Sequence, residues 1–152
     1  MRQAGPDGYW VSDDPALIDV DRVHGWISEE SYWAKGRTRE AMVKAIENSL
    51  VFGLYGPDGE QAGFARHVTD RATFAWLCDV FVDTAHRGRG LGSFLVRFAV
   101  AHPDIAGLRL VLSTAPERTL YRQFGFDRLA APERWMERPR GDQPGPGAAS
   151  AS

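Results

Sequence analysis

A chain of 152 residues can bury roughly 68–70% of its unfolded surface around one core, and 43% hydrophobic with 25% charged residues are ordinary globular values. A net charge of −2, with 16 arginines and 2 lysines scattered along the chain, argues against nucleic acid or an anionic membrane as partner. Cys78 is the single cysteine, which excludes an internal disulfide and a thiolate metal cluster, and the four histidines show no ligand spacing, so no metal is expected.

Residues 1–10 lack a basic region followed by an apolar stretch, and no apolar run approaches the roughly 20 residues of a membrane helix. A cytoplasmic protein is the expectation. In chain order, residues 9–12 read as a short opening strand. Residues 19–27 read as a helix on the spacing of Val20, Val23 and Ile27, and residues 37–50 as another on Met42, Val43, Ile46 and Leu50. Thr38 with Glu40 in the first turn makes a reasonable start for the second. Residues 51–55, the turn Gly56-Pro57-Asp58-Gly59 and residues 61–68 suggest a hairpin, and residues 73–83 a third long strand.

Between that strand and the helical pattern of residues 91–102 lies His86-Arg87-Gly88-Arg89-Gly90-Leu91-Gly92. A glycine-rich turn that opens a helix offers free amides at the positive end of the helix dipole, a ready anion site. Three glycines let a diphosphate approach the main chain, and Arg87 and Arg89 add fixed charge. The plain alternative is a flexible surface turn. A P-loop would need a lysine followed by Ser or Thr, and a dinucleotide fingerprint would need G-x-G-x-x-G; the glycines here are spaced G-x-G-x-G. Helix 91–102 presents Leu91, Leu95, Phe98, Ala99 and His102 on one face. An apolar run at 108–112 suggests a strand, residues 116–123 a helix, and a final strand is expected near Trp135 and Met136. One domain over residues 1–138 results, with a small polar tail at 139–152 expected to be disordered.

The segment Arg87–Gly92 reads R-x-x-G-x-G, and downstream comes Tyr121-Arg122-Gln123-Phe124-Gly125-Phe126, with a tyrosine four residues before a Gly-Phe pair. These two motifs, in this order with a helix and a strand between them, resemble the GNAT acyltransferase superfamily over about residues 75–126, and more weakly over 10–70. The resemblance implies an α+β fold, a mixed and mostly antiparallel central sheet with helices on both faces. A right-handed crossover through 91–102 would set 108–112 parallel to 75–82. In the family those strands splay, and the pantetheine arm lies in the gap.

The resemblance also implies acetyl-CoA as co-substrate. Arg87, Gly88, Arg89, Gly90, Leu91 and Gly92 would hold the pyrophosphate. Val80, Phe81 and Val82 would line pantetheine, with the Val80 and Val82 amides pairing to it, and Thr114 would lie close by. Tyr121 corresponds to the family's general acid, although a tyrosine there could simply pack with its hydroxyl at the rim. Asp79 is the candidate base, acting through a relayed water, and equally an ion-pair partner for Arg66 or Arg109, because a lone carboxylate among apolar neighbours is costly to bury. Cys78 stands where the family usually has a glutamate; on an apolar strand it reads as a core residue and not a nucleophile.

The acceptor site is expected from the segment between the early helices, where His24, Glu29, Tyr32 and Trp33 are the candidate binding residues. Acids beside aromatics suit a cationic amine by charge and cation–π contact. The same aromatics could cap the core, and His24 could be an ordinary helix residue. Trp135 and Met136 are further candidates for the pocket wall. The expected reaction is transfer of an acetyl group to a primary amine of a small molecule or peptide, in a ternary complex. The alternatives are a silent acyl-CoA sensor and a scaffold in which the loop is only a turn. A homodimer is left open by the resemblance.

Overall fold

In the computed structural model, which describes residues 1–141, the chain runs β1 (Arg2–Ala4), β2 (Trp10–Ser12), α1 (Val20–Gly25), α2 (Arg39–Glu47), β3 (Leu50–Tyr55), β4 (Gln61–Thr69), β5 (Phe74–Val82), α3 (Leu91–Ala101) and β6 (Arg109–Val111). The six strands form one sheet in chain order. Each neighbouring pair is antiparallel except β5 and β6, which α3 joins in parallel.

Both faces are covered. On one, Phe52, Leu54, Ala65, Ala75 and Leu77 meet Leu91, Leu95, Phe98 and Ala99 of α3. On the other, Val51, Phe64 and Phe81 meet Val23, Trp26, Ile27, Met42 and Ile46. The face of α3 read from the sequence is the buried one, His102 included.

One irregularity in β5 decides where the site forms. Alternation along a strand should put Leu77 and Phe81, four residues apart, on the same face. They lie on opposite faces. Between them the β4–β5 register slips: Arg66 pairs with Cys78 and Phe64 with Phe81, so two residues, Asp79 and Val80, oppose Ala65 alone. This is a β-bulge, and Asp79 takes its left-handed conformation with φ of 52°. Aspartate tolerates that region better than most residues, and non-glycine residues there carry strain of about 1–2 kcal/mol. Beyond the bulge Val80 and Val82 turn to the α3 side.

Four expectations need correction. β1 was not foreseen; its three residues are all exposed and carry no apolar alternation. Helix 19–27 ends as α1 at Gly25 and continues as a wider π-helical turn, Trp26–Glu30. The helix expected at 116–123 is one 3-10 turn, Leu120–Phe124, closed by Gly125 at φ of 87°. No strand follows β6 among the described residues: Pro132 opens a 3-10 turn, Pro132–Arg134, instead. Of the expected tail, residues 142–152 lie outside the described residues. No helix of the described residues is long and apolar enough to cross a membrane.

Candidate active site

β5 and β6 pair only at Phe74–Arg109, Ala75–Leu110 and Trp76–Val111. Beyond them no pairing continues, and the gap between the strands opens into a cleft. Two cavities share walls there. One of about 430 Å³ runs past Val80, Phe81 and Val82 to the glycine loop. The other, about 940 Å³, lies between Trp76–Val80 and Leu112–Thr114 and reaches Tyr121. Tyr32, Trp33, Val80 and Arg118 line both.

The glycine loop has the geometry an anion needs. Gly90 is the N-cap of α3 with φ of 74°, and no side chain caps the helix. The first intrahelical bond runs from the Phe94 amide to the Gly90 carbonyl at 3.2 Å, leaving the earlier amides without intrahelical partners. Gly88 is also left-handed, and a Cβ at Gly88 or Gly90 would meet nothing within 4 Å. These glycines are set by backbone conformation and leave open space above the main chain. Arg87 donates from Nε to the Val82 carbonyl at 2.8 Å and lies over the Phe81 ring. His86 anchors the other end of the loop through Nδ1 to the buried Tyr9 hydroxyl, 2.6 Å away. Gly88, Gly90, Leu91 and Gly92 line the smaller cavity with Arg87; Arg89 is exposed and is not among its walls. A diphosphate fits this donor set.

Tyr121 is buried against Phe126 and faces the larger cavity. Burial pushes its hydroxyl above the ordinary tyrosine value, against the nearby positive charge of Arg118. It stays protonated at neutral pH. Thr114 also lines the larger cavity, away from the loop.

Asp79 is the most constrained group in the cleft. Its carboxylate, 1% exposed, accepts from Arg37 Nη1 at 2.5 Å, Arg66 Nε at 2.7 Å and Trp33 Nε1 at 3.0 Å. Burial pushes its pKa up, but the charges of Arg66 and Arg37 outweigh burial and hold it below the ordinary carboxylate value. Of the two ion-pair partners considered, Arg66 is present; Arg109 sits instead over the Trp135 ring. Cys78 is half-buried on the cavity wall and not in the core as expected. Burial raises its thiol to about 11, which keeps it a thiol.

The expected acceptor residues separate. Tyr32 and Trp33 meet edge to face and line both cavities. Glu29 is exposed and is not a cavity wall; its neighbour Glu30 lines the smaller cavity. His24 lies behind the site, donating from Nε2 to the Arg37 carbonyl at 2.8 Å. Trp135 and Met136 line neither cavity, and Met136 is 96% exposed. Arg37, Arg66, Arg118 and Arg138 are cavity residues that the sequence reading did not assign to the site. Arg118, three residues before Tyr121, could have been found from its spacing; Arg37 carried no signal.

The profile of the GNAT acetyltransferase domain matches residues 47–128. A curated protein of Gibberella zeae, named by assignment as an acetyltransferase, is 34% identical over 107 residues, covering 59% of this chain. The match spans 60% of that relative's length. A crystal structure from Xanthomonas campestris pv. campestris, assigned to the GNAT family, superposes with a TM-score of 0.85 at 41% identity, covering 90% of this chain and 96% of that one. A Mycobacterium tuberculosis protein crystallised with CoA shares the fold at a TM-score of 0.63 and 18% identity, covering 78% of this chain and 72% of its own. β3 to β6, the open β5–β6 gap and the glycine loop fall within residues 47–128, and the chain belongs to the GNAT acetyltransferase family.

Proposed function

We propose that the protein transfers an acetyl group from acetyl-CoA to a primary amine of a small molecule or peptide, in a ternary complex. The observation that carries this reading is the continuity of the cleft: an uncapped helix N-terminus at one end, a buried tyrosine at the other, and Val80–Val82 between them. The M. tuberculosis neighbour, crystallised with CoA, supports the same ligand here. Bound acetyl-CoA supplies the activated thioester. The amides opening α3 and Arg87 hold its diphosphate, and Val80 and Val82 offer backbone to its arm.

Tyr121 returns a proton from its hydroxyl to the departing thiolate, whose acid has a pKa of about 8.5 against at least about 10 for tyrosine. Arg118 beside that hydroxyl stabilises charge developing on it. A lysine-like amine is only about 0.04% neutral at pH 7, a cost of roughly 4.6 kcal/mol, so the acceptor must lose a proton before attack. Asp79 is poorly suited to take it, since three donors occupy its carboxylate. In this reading Asp79 is a positioning residue that fixes Arg37, Arg66 and Trp33, and the proton leaves to water in the open cavity. Cys78, held as a thiol, forms no acyl-enzyme.

The test is release of free CoA from acetyl-CoA in the presence of an amine library. Amine-dependent thiol release that saturates in both substrates, with intersecting double-reciprocal lines, is expected. Tight acetyl-CoA binding with no amine-dependent release would favour a silent sensor, and parallel lines would indicate an acyl-enzyme.

A further inference from the structure

The charge on the larger cavity runs opposite to what the acidic segment near Glu29 suggests. Its wall carries five arginines and three carboxylates. Arg37 and Arg66 have side chains only 20% and 11% exposed, and both lean on the one carboxylate of Asp79. Neither has a second acid partner among the described residues. Two guanidiniums on one carboxylate leave a net positive charge at a buried wall, and arginine does not shed its proton to relieve it. Such a charge calls for compensation.

Hydrogen-bonding capacity points the same way. A guanidinium has five N–H donors. Arg37 engages Asp79 through Nη1 alone, and Arg66 uses Nε on Asp79 and Nη1 on the Ser49 hydroxyl. Both arginines line this cavity and not the one at the glycine loop, so their charge is separate from the diphosphate site. Arg138 joins them on the wall and forms no ion pair among the described residues. The opposing acids, Glu117 and Glu137, are exposed, where water and salt screen them.

We propose that the acceptor amine carries an oxyanion, a carboxylate or a phosphate, which docks against Arg37 and Arg66 while the amine faces Tyr121. The proposal rests on the acetyl-transfer reading above and narrows its substrate class. His24, bonded to the Arg37 carbonyl, and Asp79 hold the arginine for this task.

Calorimetry with acetyl-CoA comes first and reports on the transferase reading by itself. Matched acceptors are then titrated against the CoA-saturated protein and assayed for acetylation: L-phenylalanine against its amide, and phosphoethanolamine against ethanolamine. At least one anionic member is expected to bind, and to give kcat/KM, at least tenfold better than its neutral twin; the pair that responds identifies carboxylate or phosphate. Arg37→Gln, which leaves Asp79 paired to Arg66, is expected to reduce that preference at least fivefold through KM, with acetyl-CoA affinity unchanged. Arg138→Gln, on an exposed residue, gives a second reading if Arg37→Gln does not fold. Acetyl-CoA binding with neutral twins bound equally or better overturns the proposal and leaves the transferase reading standing. A preference that survives in folded variants overturns the assignment to this wall. No acetyl-CoA binding by folded protein overturns both.

Discussion

Replacing Asp79 by asparagine removes one charge and almost no volume. The amide keeps a short polar side chain suited to the left-handed backbone at φ of 52°. What changes is electrostatic: Arg37 and Arg66, both mostly buried, then face each other with no counter-charge. Removing one partner from a buried ion pair costs about 3–5 kcal/mol. The residual exposure of Arg37 favours the lower end, about 3 kcal/mol. For a domain of this size each kcal/mol moves Tm by roughly 2–4 °C, so Asp79→Asn is expected to melt about 6–12 °C below wild type.

The pH dependence follows from the direction of the Asp79 shift. Its folded pKa lies below the ordinary value of 3.8, so the carboxylate contributes its full stability above that value and loses it as pH falls through the folded pKa. The Tm gap should therefore stay level from about pH 8 to pH 5 and close only below about pH 4. Adding Arg37→Gln to Asp79→Asn should recover part of the loss, because one stranded charge goes with it. Calorimetric melting across pH reads all three expectations. A gap under about 2 °C at pH 7, combined with a kcat–pH profile that loses its acidic limb, would refute the positioning role and make Asp79 the base.

Tyr121→Phe deletes the proposed acid while keeping the ring on Phe126; kcat is expected to fall about 10²-fold or more with acetyl-CoA affinity unchanged, in steady-state assays paired with calorimetry. Cys78→Ser should keep kcat within about threefold, and intact-protein mass spectrometry after incubation with acetyl-CoA alone should show no thioester on Cys78, since its thiol titrates only at about 11. An acetyl group on Cys78, lost in the variant along with turnover, would contradict the direct mechanism.

How much was legible depends on whether a signal was local. Arg87–Gly92 and the apolar face of α3 could be read because turn chemistry and helical period act within a few residues. The β5–β6 gap was expected from family resemblance, and in the structure it follows from pairing that stops at Trp76 and Val111. The bulge was not legible. Residues 73–83 look like an uninterrupted strand, yet Leu77 and Phe81 serve opposite cores because Asp79 takes a left-handed conformation. The same bulge places Asp79 among Trp33, Arg37 and Arg66, partners 46, 42 and 13 residues away. Sequence could say only that a lone carboxylate on an apolar strand needs partners. The acceptor candidates separate for a related reason: composition marked an aromatic and acidic segment, but it could not say that the backbone puts Tyr32 and Trp33 on the cavity walls and Glu29 outside them. The final strand expected near Trp135 gives way among the described residues to the 3-10 turn that Pro132 opens, and the helix expected at 116–123 begins only at Leu120 and runs one 3-10 turn to Phe124.

Titration of acetyl-CoA into wild type, Gly90→Ala and Gly90→Glu tests the central claim most directly. Gly90 sits at φ of 74°, so both variants carry a similar backbone strain of about 1–2 kcal/mol, and a Cβ there meets nothing within 4 Å. Only glutamate adds a negative charge where the diphosphate approaches. Micromolar binding by wild type, a modest loss in Gly90→Ala and a loss of at least 100-fold in a folded Gly90→Glu are expected. No binding by folded wild type, or equal affinity in Gly90→Glu, would contradict it and leave residues 87–92 as a surface turn.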